Sequence, residues 1–256
     1  MTFSRAADFF RRTLRLARTE IAAVSALFIV AVGVAAFADL AEDMIEGDGQ
    51  AFDQAVLSAM RPNPDPSDAW GPWWLEAAAA DLTSLGGIAV LGLFATIVVL
   101  FLFLQRKHLS ALLLTVGLAG GMALSEGLKS VFERDRPPVV FQAVETINAS
   151  FPSGHALLSA VFYLSIGVML TRAFPRRRFK AYVLGVAIAL TLIVGLTRVY
   201  LGAHWATDVL AGWSVGSAWA MTLWLVAYAV QRRQAMHRSG PHDAPSPEPG
   251  QVGTRT

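Results

Sequence analysis

Six long apolar runs are separated by more polar stretches along the chain, at roughly 21–38, 85–105, 109–128, 156–173, 181–197 and 209–230. Each run is close to the ~20 residues that an α-helix needs to cross the hydrocarbon core of a bilayer. Lipid offers backbone polar groups no hydrogen-bond partners, so a spanning segment has to be helical. The pattern predicts an all-α, polytopic membrane protein in which six transmembrane helices form a bundle. The third run is the least regular, because it contains Ser125 and Glu126.

The composition supports this prediction. Of the 256 residues, 54% are hydrophobic and only 16% are charged, whereas soluble domains carry about 25% charged residues. The chain contains no cysteine. Disulfides, thiolate metal sites and cysteine nucleophiles are therefore excluded.

Basic residues are distributed unevenly between the two sides of the predicted bundle. If the chain crosses the membrane six times, 16 of its 21 lysines and arginines fall on the side that holds both termini. Cytoplasmic loops carry such an excess, so both termini are predicted to be cytoplasmic. The outer side keeps Arg61, Lys129, Arg134, Arg136 and Arg198. Four of these five follow the third and fifth helices, and basic residues kept on the outer side suggest a function.

Two polar ends flank the predicted membrane domain, 21–230. Residues 1–20 form a basic cytoplasmic segment that could lie on the inner surface as an amphipathic helix. Residues 231–256 are predicted to be a disordered cytoplasmic tail, because their last part is rich in proline, serine and glycine.

Residues 1–38 also resemble a signal peptide with a cleavage site at 36–38. The apolar run and its basic leader are long for a signal peptide, which favours an uncleaved helix.

The first outer loop, 39–84, is long and acidic and carries Trp70, Trp73 and Trp74. Tryptophan is enriched at the membrane–water interface. Part of this loop is therefore interpreted as a short interfacial helix lying on the outer leaflet. A packing cluster beneath the loop would explain the same residues equally well.

Candidate chemistry lies in three clusters within the outer loops that hold the unexpected charges, at 129–137, 151–155 and 197–208. Lys129, Arg136 and Arg198 would repel one another unless an anion lay between them. A guanidinium presents a planar fork that suits phosphate oxygens, and an ammonium acts as a point charge. A phosphoryl group is therefore the natural occupant, and such cations stabilise the charge of its transition state.

The second cluster places helix-starting residues before the fourth predicted helix. Pro152, Ser153 and Gly154 are typical of a helix N-terminus, where free backbone N–H groups favour an anion. Gly154 would let the backbone approach that anion, and the Ser153 hydroxyl can donate one more hydrogen bond. His155 would then lie in the first helical turn, where it could protonate a leaving oxygen as general acid.

The third cluster supplies a nucleophile and the group that orients it. His204 and Asp208 are spaced so that they would share a face on a helix. Asp208 could accept from one ring nitrogen and fix the tautomer, which leaves the other nitrogen free to attack phosphorus. The product would be a phosphohistidine that water hydrolyses in a second step.

Each of these residues alone has a simpler interpretation. A single histidine, lysine or arginine near a helix end is usually an interfacial or snorkelling residue, and Ser-Gly before a helix is usually only a cap. Glu126, Glu133, Arg134 and Asp135 are interpreted as loop salt bridges or solvated charges without a catalytic role. The three clusters nevertheless occur in order and on one predicted side of the membrane, which coincidence explains poorly.

The three clusters resemble the signature of the type-2 phosphatidic acid phosphatase superfamily, which also contains vanadium haloperoxidases and bacterial acid phosphatases. Its motifs K-x6-RP, PSGH and SR-x5-H-x3-D stand here at 129–137, 152–155 and 197–208. Two positions depart from the family pattern. Thr197 replaces the usual serine, and Pro138 and Val139 replace a second basic or aromatic proline pair, which leaves the local substrate contacts open.

The resemblance implies a role for each matching residue. The phosphate would be bound by Lys129, Arg136, Ser153, the Gly154 backbone and Arg198. His155 would be the general acid, His204 the nucleophile and Asp208 its partner. No metal and no other cofactor is implied for the phosphatases of this family.

We therefore expect a metal-independent phosphatase of the membrane-bound branch that acts on a lipid monophosphate or diphosphate. Its site would lie at the outer, periplasmic face of a bacterial inner membrane, where a lipid head group can enter sideways. Candidate substrates are undecaprenyl diphosphate, phosphatidylglycerol phosphate, phosphatidic acid and the phosphates of lipid A. The expected partners are this substrate and the membrane lipids, with no nucleic acid.

Other functions fit the sequence less well. A lipid transporter or lipid-binding protein with a degenerate phosphatase site would share the six helices, but the signature residues are intact here. Vanadate-dependent halide oxidation could use the same residues, but those enzymes are typically soluble. A soluble nucleotide or sugar phosphatase is excluded by the hydropathy.

Overall fold

The computed structural model describes residues 2–144 and 148–238, and within these ranges every regular element is helical. The helices are α1 (Thr2–Glu46), α2 (Gln50–Ala59), α3 (Trp73–Thr83), α4 (Ile88–Leu104), α5 (His108–Phe132), α6 (Gly154–Ser159), α7 (Ser165–Thr171), α8 (Arg177–Tyr200) and α9 (Ala206–Arg238). Short 3₁₀ turns lie at Ser84–Gly86 and Val139–Phe141, and a π-helical turn, Ala160–Leu164, joins α6 to α7. The all-α prediction is confirmed.

Five helical segments are long and apolar enough to cross a membrane: Glu20–Glu46, His108–Phe132, Gly154–Thr171, Arg177–Tyr200 and Ala206–Met236. A sixth span results if α3 and α4, which are bent by 48° relative to each other, are counted together. Each predicted apolar run coincides with one of these segments, although the fourth helix ends at Thr171 rather than at 173. With α3 and α4 counted as one span, the predicted bundle of six membrane helices is confirmed.

Helix α9 lies at the centre of the bundle, where it packs along α1 and also contacts α5, α6 and α8. The largest apolar core includes the buried side chains of Leu91, Leu114, Leu157, Val161 and Val194. The outward faces are apolar as well, since Phe28 on α1 is 68% exposed and Leu104 on α4 is 80% exposed. A helix that is apolar all round is typical of a membrane span.

Most of the predicted outer loop, 39–84, is helical in the structure. Helix α1 continues to Glu46, and α2 and α3 occupy much of the remainder. Trp70, Trp73 and Trp74 are exposed over 59%, 82% and 56% of their surfaces. These rings do not form a packing cluster beneath the loop, and their exposure favours the interfacial interpretation.

Both predicted terminal segments are partly helical. The backbone of the N-terminal segment, 1–20, belongs to α1 from Thr2 onward. Residues 231–238 of the predicted tail continue α9. The rest of that tail, 239–256, lies outside the described residues.

The C-terminal ends of α5 and α8 and the N-terminal ends of α6 and α9 meet at one end of the bundle. Glu133 follows α5 in a left-handed conformation, with φ of 43°, and redirects the chain. Gly202, with φ of 66°, turns the chain between α8 and α9. A side chain at Gly202 would collide with the Phe141 carbonyl, so only glycine lets the two loops approach so closely. Their contact is fixed by a hydrogen bond from the Ala143 N–H to the Leu201 carbonyl, 3.0 Å long.

Candidate active site

A cavity of about 430 Å³ lies where these helix ends meet, and residues from all three sequence clusters form part of its wall: Lys129, Arg136, Gly154, His155, Arg198 and His204. Lys129 comes from the last turn of α5, His155 from the first turn of α6 and Arg198 from the last turn of α8. Arg136 and His204 come from the two loops. The fold thus brings six of the eight predicted site residues onto one surface.

Lys129 and Arg198 are nearly buried, with 8% and 5% of their surfaces exposed. The Lys129 ammonium lies 3.5 Å from the exposed carboxylate of Glu126. Arg198 Nη1 donates to the Thr83 hydroxyl over a long 3.4 Å, and its Nε has no hydrogen-bond partner within the described part of the chain. Buried charges that lack a full set of partners are unfavourable. The cavity wall therefore carries an excess of positive charge that a bound anion would stabilise.

Arg136 is held in one orientation by three strong hydrogen bonds. Its Nε donates to the Asn148 carbonyl at 2.6 Å, Nη2 to Asn148 Oδ1 at 2.7 Å, and Nη1 to the Ala203 carbonyl at 2.7 Å. Nη1 also lies 3.2 Å from Nε2 of His204. Burial lowers the pKa of Arg136, an effect that the Asp208 carboxylate opposes. A fixed guanidinium, which stays protonated in proteins, therefore lies beside the ring nitrogen of His204 that faces away from Asp208.

His204 is 2% exposed, and its two ring nitrogens have different neighbours. Nδ1 lies 3.4 Å from Asp208 Oδ2 and 3.4 Å from the Ser150 hydroxyl. Because the Arg136 guanidinium can only donate to Nε2, the proton of the neutral ring belongs on Nδ1, toward Asp208. Burial lowers the pKa of His204 from 6.5 to about 4, although Asp208 acts in the opposite direction. Near pH 7 the ring is neutral, with a lone pair on Nε2.

The spacing predicted that His204 and Asp208 pair along one helix. In the structure the two residues are paired, but they do not lie on the same helix. Helix α9 begins at Ala206, so His204 lies in the preceding loop. Asp208 Oδ2 accepts from the Trp205 N–H at 2.9 Å and from the Ser150 hydroxyl. The carboxylate thereby ties the loop to the start of α9 and brings the His204 ring beside itself.

Ser153 and Gly154 differ in their relation to the cavity. Ser153 is fully buried, and its hydroxyl caps α6 by accepting from the Ala156 N–H at 3.5 Å. Accepting this bond leaves the hydroxyl proton of Ser153 available, so its contact with an anion stays a prediction. Gly154 lies on the wall, where an added Cβ would be 3.1 Å from Ser125 Oγ and 3.7 Å from Lys129 Nζ. The absence of a side chain at Gly154 leaves space beside the Lys129 ammonium.

Arg134 has a larger part in the site than the sequence analysis assigned to it. Its guanidinium is 11% exposed and joins two buried carboxylates, at 2.6 Å from Asp208 Oδ1 and 2.7 Å from Asp53 Oδ2. The predicted loop salt bridge exists, but it is buried and holds the carboxylate behind His204. Glu133 and Asp135 are exposed, as expected of solvated charges. No local spacing links Arg134 to Asp53, which lies 81 positions away.

Comparisons with known proteins agree with the motifs. The sequence profile of the PAP2 superfamily matches residues 108–233. Phosphatidylglycerophosphatase B of Bacillus subtilis (strain 168) is 34% identical over 147 residues, which cover 56% of this chain and 70% of that protein. The undecaprenyl-diphosphatase of Sulfolobus acidocaldarius is 32% identical over 124 residues, 46% of this chain and 55% of that protein.

The fold has a solved counterpart. The crystal structure of the first transmembrane PAP2 type phosphatidylglycerolphosphate phosphatase, from Bacillus subtilis, superimposes with a TM-score of 0.71 at 28% identity. The match covers 78% of this chain and 98% of that one. This multi-pass membrane protein therefore belongs to the PAP2 superfamily, the type-2 phosphatidic acid phosphatases.

Proposed function

We propose that this chain is a lipid phosphatase that hydrolyses a phosphomonoester or diphosphate of a membrane lipid through a phosphohistidine on His204. The observation that carries the proposal is a cavity in which a neutral imidazole, backed by Asp208, faces the cations Lys129, Arg136 and Arg198. The relatives described above are named a phosphatidylglycerophosphatase and an undecaprenyl-diphosphatase, both enzymes of lipid phosphates.

In the first step the phosphoryl group binds among the three cations. Arg136 Nη1, 3.2 Å from His204 Nε2, would draw a non-bridging oxygen close to the attacking nitrogen. The Arg198 Nε–H, which has no partner in the described part of the chain, can donate to another oxygen. These charges are fixed before the reaction and stabilise the transition state more than the ground state.

In the chemical step Nε2 of His204 attacks phosphorus and the bond from phosphorus to the lipid oxygen breaks. His155 gives a proton to that leaving oxygen, and Asp208 stabilises the Nδ1–H of the ring, which becomes positively charged. Water then attacks phosphorus and loses a proton to His155. The P–N bond breaks, inorganic phosphate leaves, and both histidines return to their starting states.

The lipid tail has a route that keeps it in the bilayer. Ile88, at the start of α4, and Met122, on α5, line the cavity, and 61% and 38% of their surfaces are exposed. A head group can thus enter sideways between α4 and α5 while its acyl chains stay in lipid. This supports undecaprenyl diphosphate, phosphatidylglycerol phosphate, phosphatidic acid and lipid A as the substrate class.

The side of the membrane follows from the charge distribution. With 16 of 21 basic residues on the side of the termini, the positive-inside rule orients the cavity toward the periplasm. We accordingly propose a protein of a bacterial inner membrane, with cytoplasmic termini and its site at the outer leaflet. Labelling of Ser67→Cys, in the loop between α2 and α3, and of Ala173→Cys, in the loop between α7 and α8, with a membrane-impermeant thiol reagent measures this orientation. Only Ser67→Cys should be labelled from the outside.

The proposed activity is tested by phosphate release from a panel of lipid monophosphates and diphosphates in EDTA. The wild-type protein should hydrolyse at least one of them without added divalent metal. His204→Ala should lower kcat by about 10³-fold or more, because the covalent route is lost. His108→Ala is the matched control, since that histidine is exposed at the start of α5 and far along the helix from Lys129.

Two results would contradict the proposal. Full activity in His204→Ala would remove the nucleophile from the mechanism. Transfer of an intact lipid phosphate between vesicles, without release of phosphate, would indicate a transporter with a degenerate site.

A further inference from the structure

Ser125 interrupts the third apolar run, and the structure gives a reason for its presence. It lies on α5 one helical turn before Lys129, so the two side chains share a face of the helix. The residue is 2% exposed and forms part of the cavity wall. A nearly buried hydroxyl therefore borders the cavity on the same helical face as Lys129.

The Ser125 hydroxyl has no hydrogen-bond partner within the described part of the chain. Two other hydroxyls of the same helix donate to its backbone: Thr115 Oγ1 to the Ala111 carbonyl at 3.0 Å and Ser130 Oγ to the Gly127 carbonyl at 2.8 Å. A serine inside a helix commonly makes such a bond to the backbone of the preceding turn. Ser125 does not make it. A buried hydroxyl without a partner is unfavourable, so its position calls for an acceptor supplied from the cavity.

The surroundings of Ser125 identify what that acceptor is. A Cβ at Gly154 would lie 3.1 Å from Ser125 Oγ and 3.7 Å from Lys129 Nζ, so both polar atoms border the same small space. Arg198 Nε is a second buried donor without a partner, and it belongs to the same cavity wall. A tetrahedral anion offers acceptor oxygens to several donors at once, whereas a neutral apolar tail offers none.

We propose that the Ser125 hydroxyl donates a hydrogen bond to a non-bridging oxygen of the bound phosphoryl group, next to the oxygen held by Lys129. This assignment rests on the proposed function and adds a contact that none of the three sequence motifs contains. Ser125 thereby adds a hydroxyl contact to the one predicted for Ser153.

Product inhibition by inorganic phosphate measures this contact directly. Ser125→Ala should raise the inhibition constant for phosphate by about 10- to 100-fold, the effect of losing a hydrogen bond to a charged acceptor. Ser130→Ala is the matched control, because Ser130 is an exposed serine of the same helix whose hydroxyl bonds to backbone. It should leave the inhibition constant unchanged.

Thermal unfolding separates a substrate contact from a structural role. Since the hydroxyl makes no bond to any residue that the structure describes, Ser125→Ala should melt at or above the wild-type temperature without phosphate. The rise in melting temperature caused by saturating phosphate should shrink in the variant, as linkage requires for weaker binding. Ser125→Cys, with a weaker donor of similar size, should fall between Ser125→Ala and the wild type in both measurements.

The outcomes distinguish the two levels of the proposal. Equal phosphate inhibition in the wild type and Ser125→Ala, or a lower melting temperature of the free variant with unchanged inhibition, would overturn the assignment of Ser125 alone. A wild-type protein that neither releases nor binds phosphate would overturn the proposed function and this contact with it.

Discussion

Replacing Arg134 with glutamine should both destabilise the protein and slow catalysis. The guanidinium joins Asp53 and Asp208, whose side chains are 1% and 0% exposed, at 2.7 Å and 2.6 Å. Removing one partner of a buried ion pair costs about 3–5 kcal/mol, because the remaining charge stays buried. Asp53 keeps bonds from Thr207, at 2.9 Å from N–H and 2.6 Å from Oγ1, so the lower end of that range applies.

A loss of about 3 kcal/mol corresponds to a fall in melting temperature of roughly 6–12 °C for a chain of this size. Catalysis should slow because Asp208 loses the guanidinium that holds its carboxylate in place behind His204. The expected effect is a kcat lower by about 10- to 100-fold with KM nearly unchanged, since a positioning residue behind the wall does not touch the substrate. Arg134→Lys should be intermediate, because an ammonium cannot bridge both carboxylates as a fork does.

The assay pairs thermal unfolding in detergent with steady-state phosphate release. Arg172→Gln is the control, since Arg172 is exposed and its guanidinium contacts Gln231 at 3.3 Å. It should change stability by no more than about 0.5 kcal/mol. An Arg134→Gln protein that melts with the wild type and keeps its kcat would refute this reasoning.

Three further predictions concern other parts of the site. Burial lowers the pKa of His204 from 6.5 to about 4. Between these two pH values His204 is protonated in the unfolded chain but neutral in the folded chain. Stability should thus fall as pH drops through this range, and melting curves of His204→Gln should show a smaller fall. Lys129→Ala should lower kcat/KM by about 10²- to 10³-fold, measured by phosphate release, because a transition-state cation is lost; wild-type kinetics would contradict this. Gly202→Ala should lower the melting temperature, since φ is 66° and Phe141 blocks a side chain. Gly185→Ala, a helical glycine with open space around it, should not lower it.

The hydropathy pattern was sufficient to predict the spans, because the length of an apolar run depends only on neighbouring residues in the sequence. The motif residues could also be predicted, since each cluster lies within a short stretch of sequence. Arg134 and Asp53 could not be paired in this way, because only the folded loops bring α2 beside the start of α9. Two side-chain roles depended on local geometry: His204 reaches Asp208 from a loop rather than along a helix, and Ser153 uses its oxygen as a cap.

Ser125 is a different kind of case, because its signal was present in the sequence. It stands four residues before Lys129, on the same helical face, but it was interpreted only as an irregularity in an apolar run. Its missing backbone hydrogen bond, which becomes visible only in the structure, separates it from Thr115 and Ser130 of the same helix.

The proposed mechanism requires that phosphorus becomes bonded to Nε2 of His204 during turnover. Rapid quenching of the enzyme with a lipid phosphate labelled on phosphorus, under alkaline conditions that preserve phosphohistidine, tests this directly. The label should appear on the peptide that contains His204, should form and disappear at rates compatible with kcat, and should be absent from His204→Ala. A turnover-competent enzyme that carries no label there, or carries it on His155 instead, would contradict the phosphohistidine mechanism.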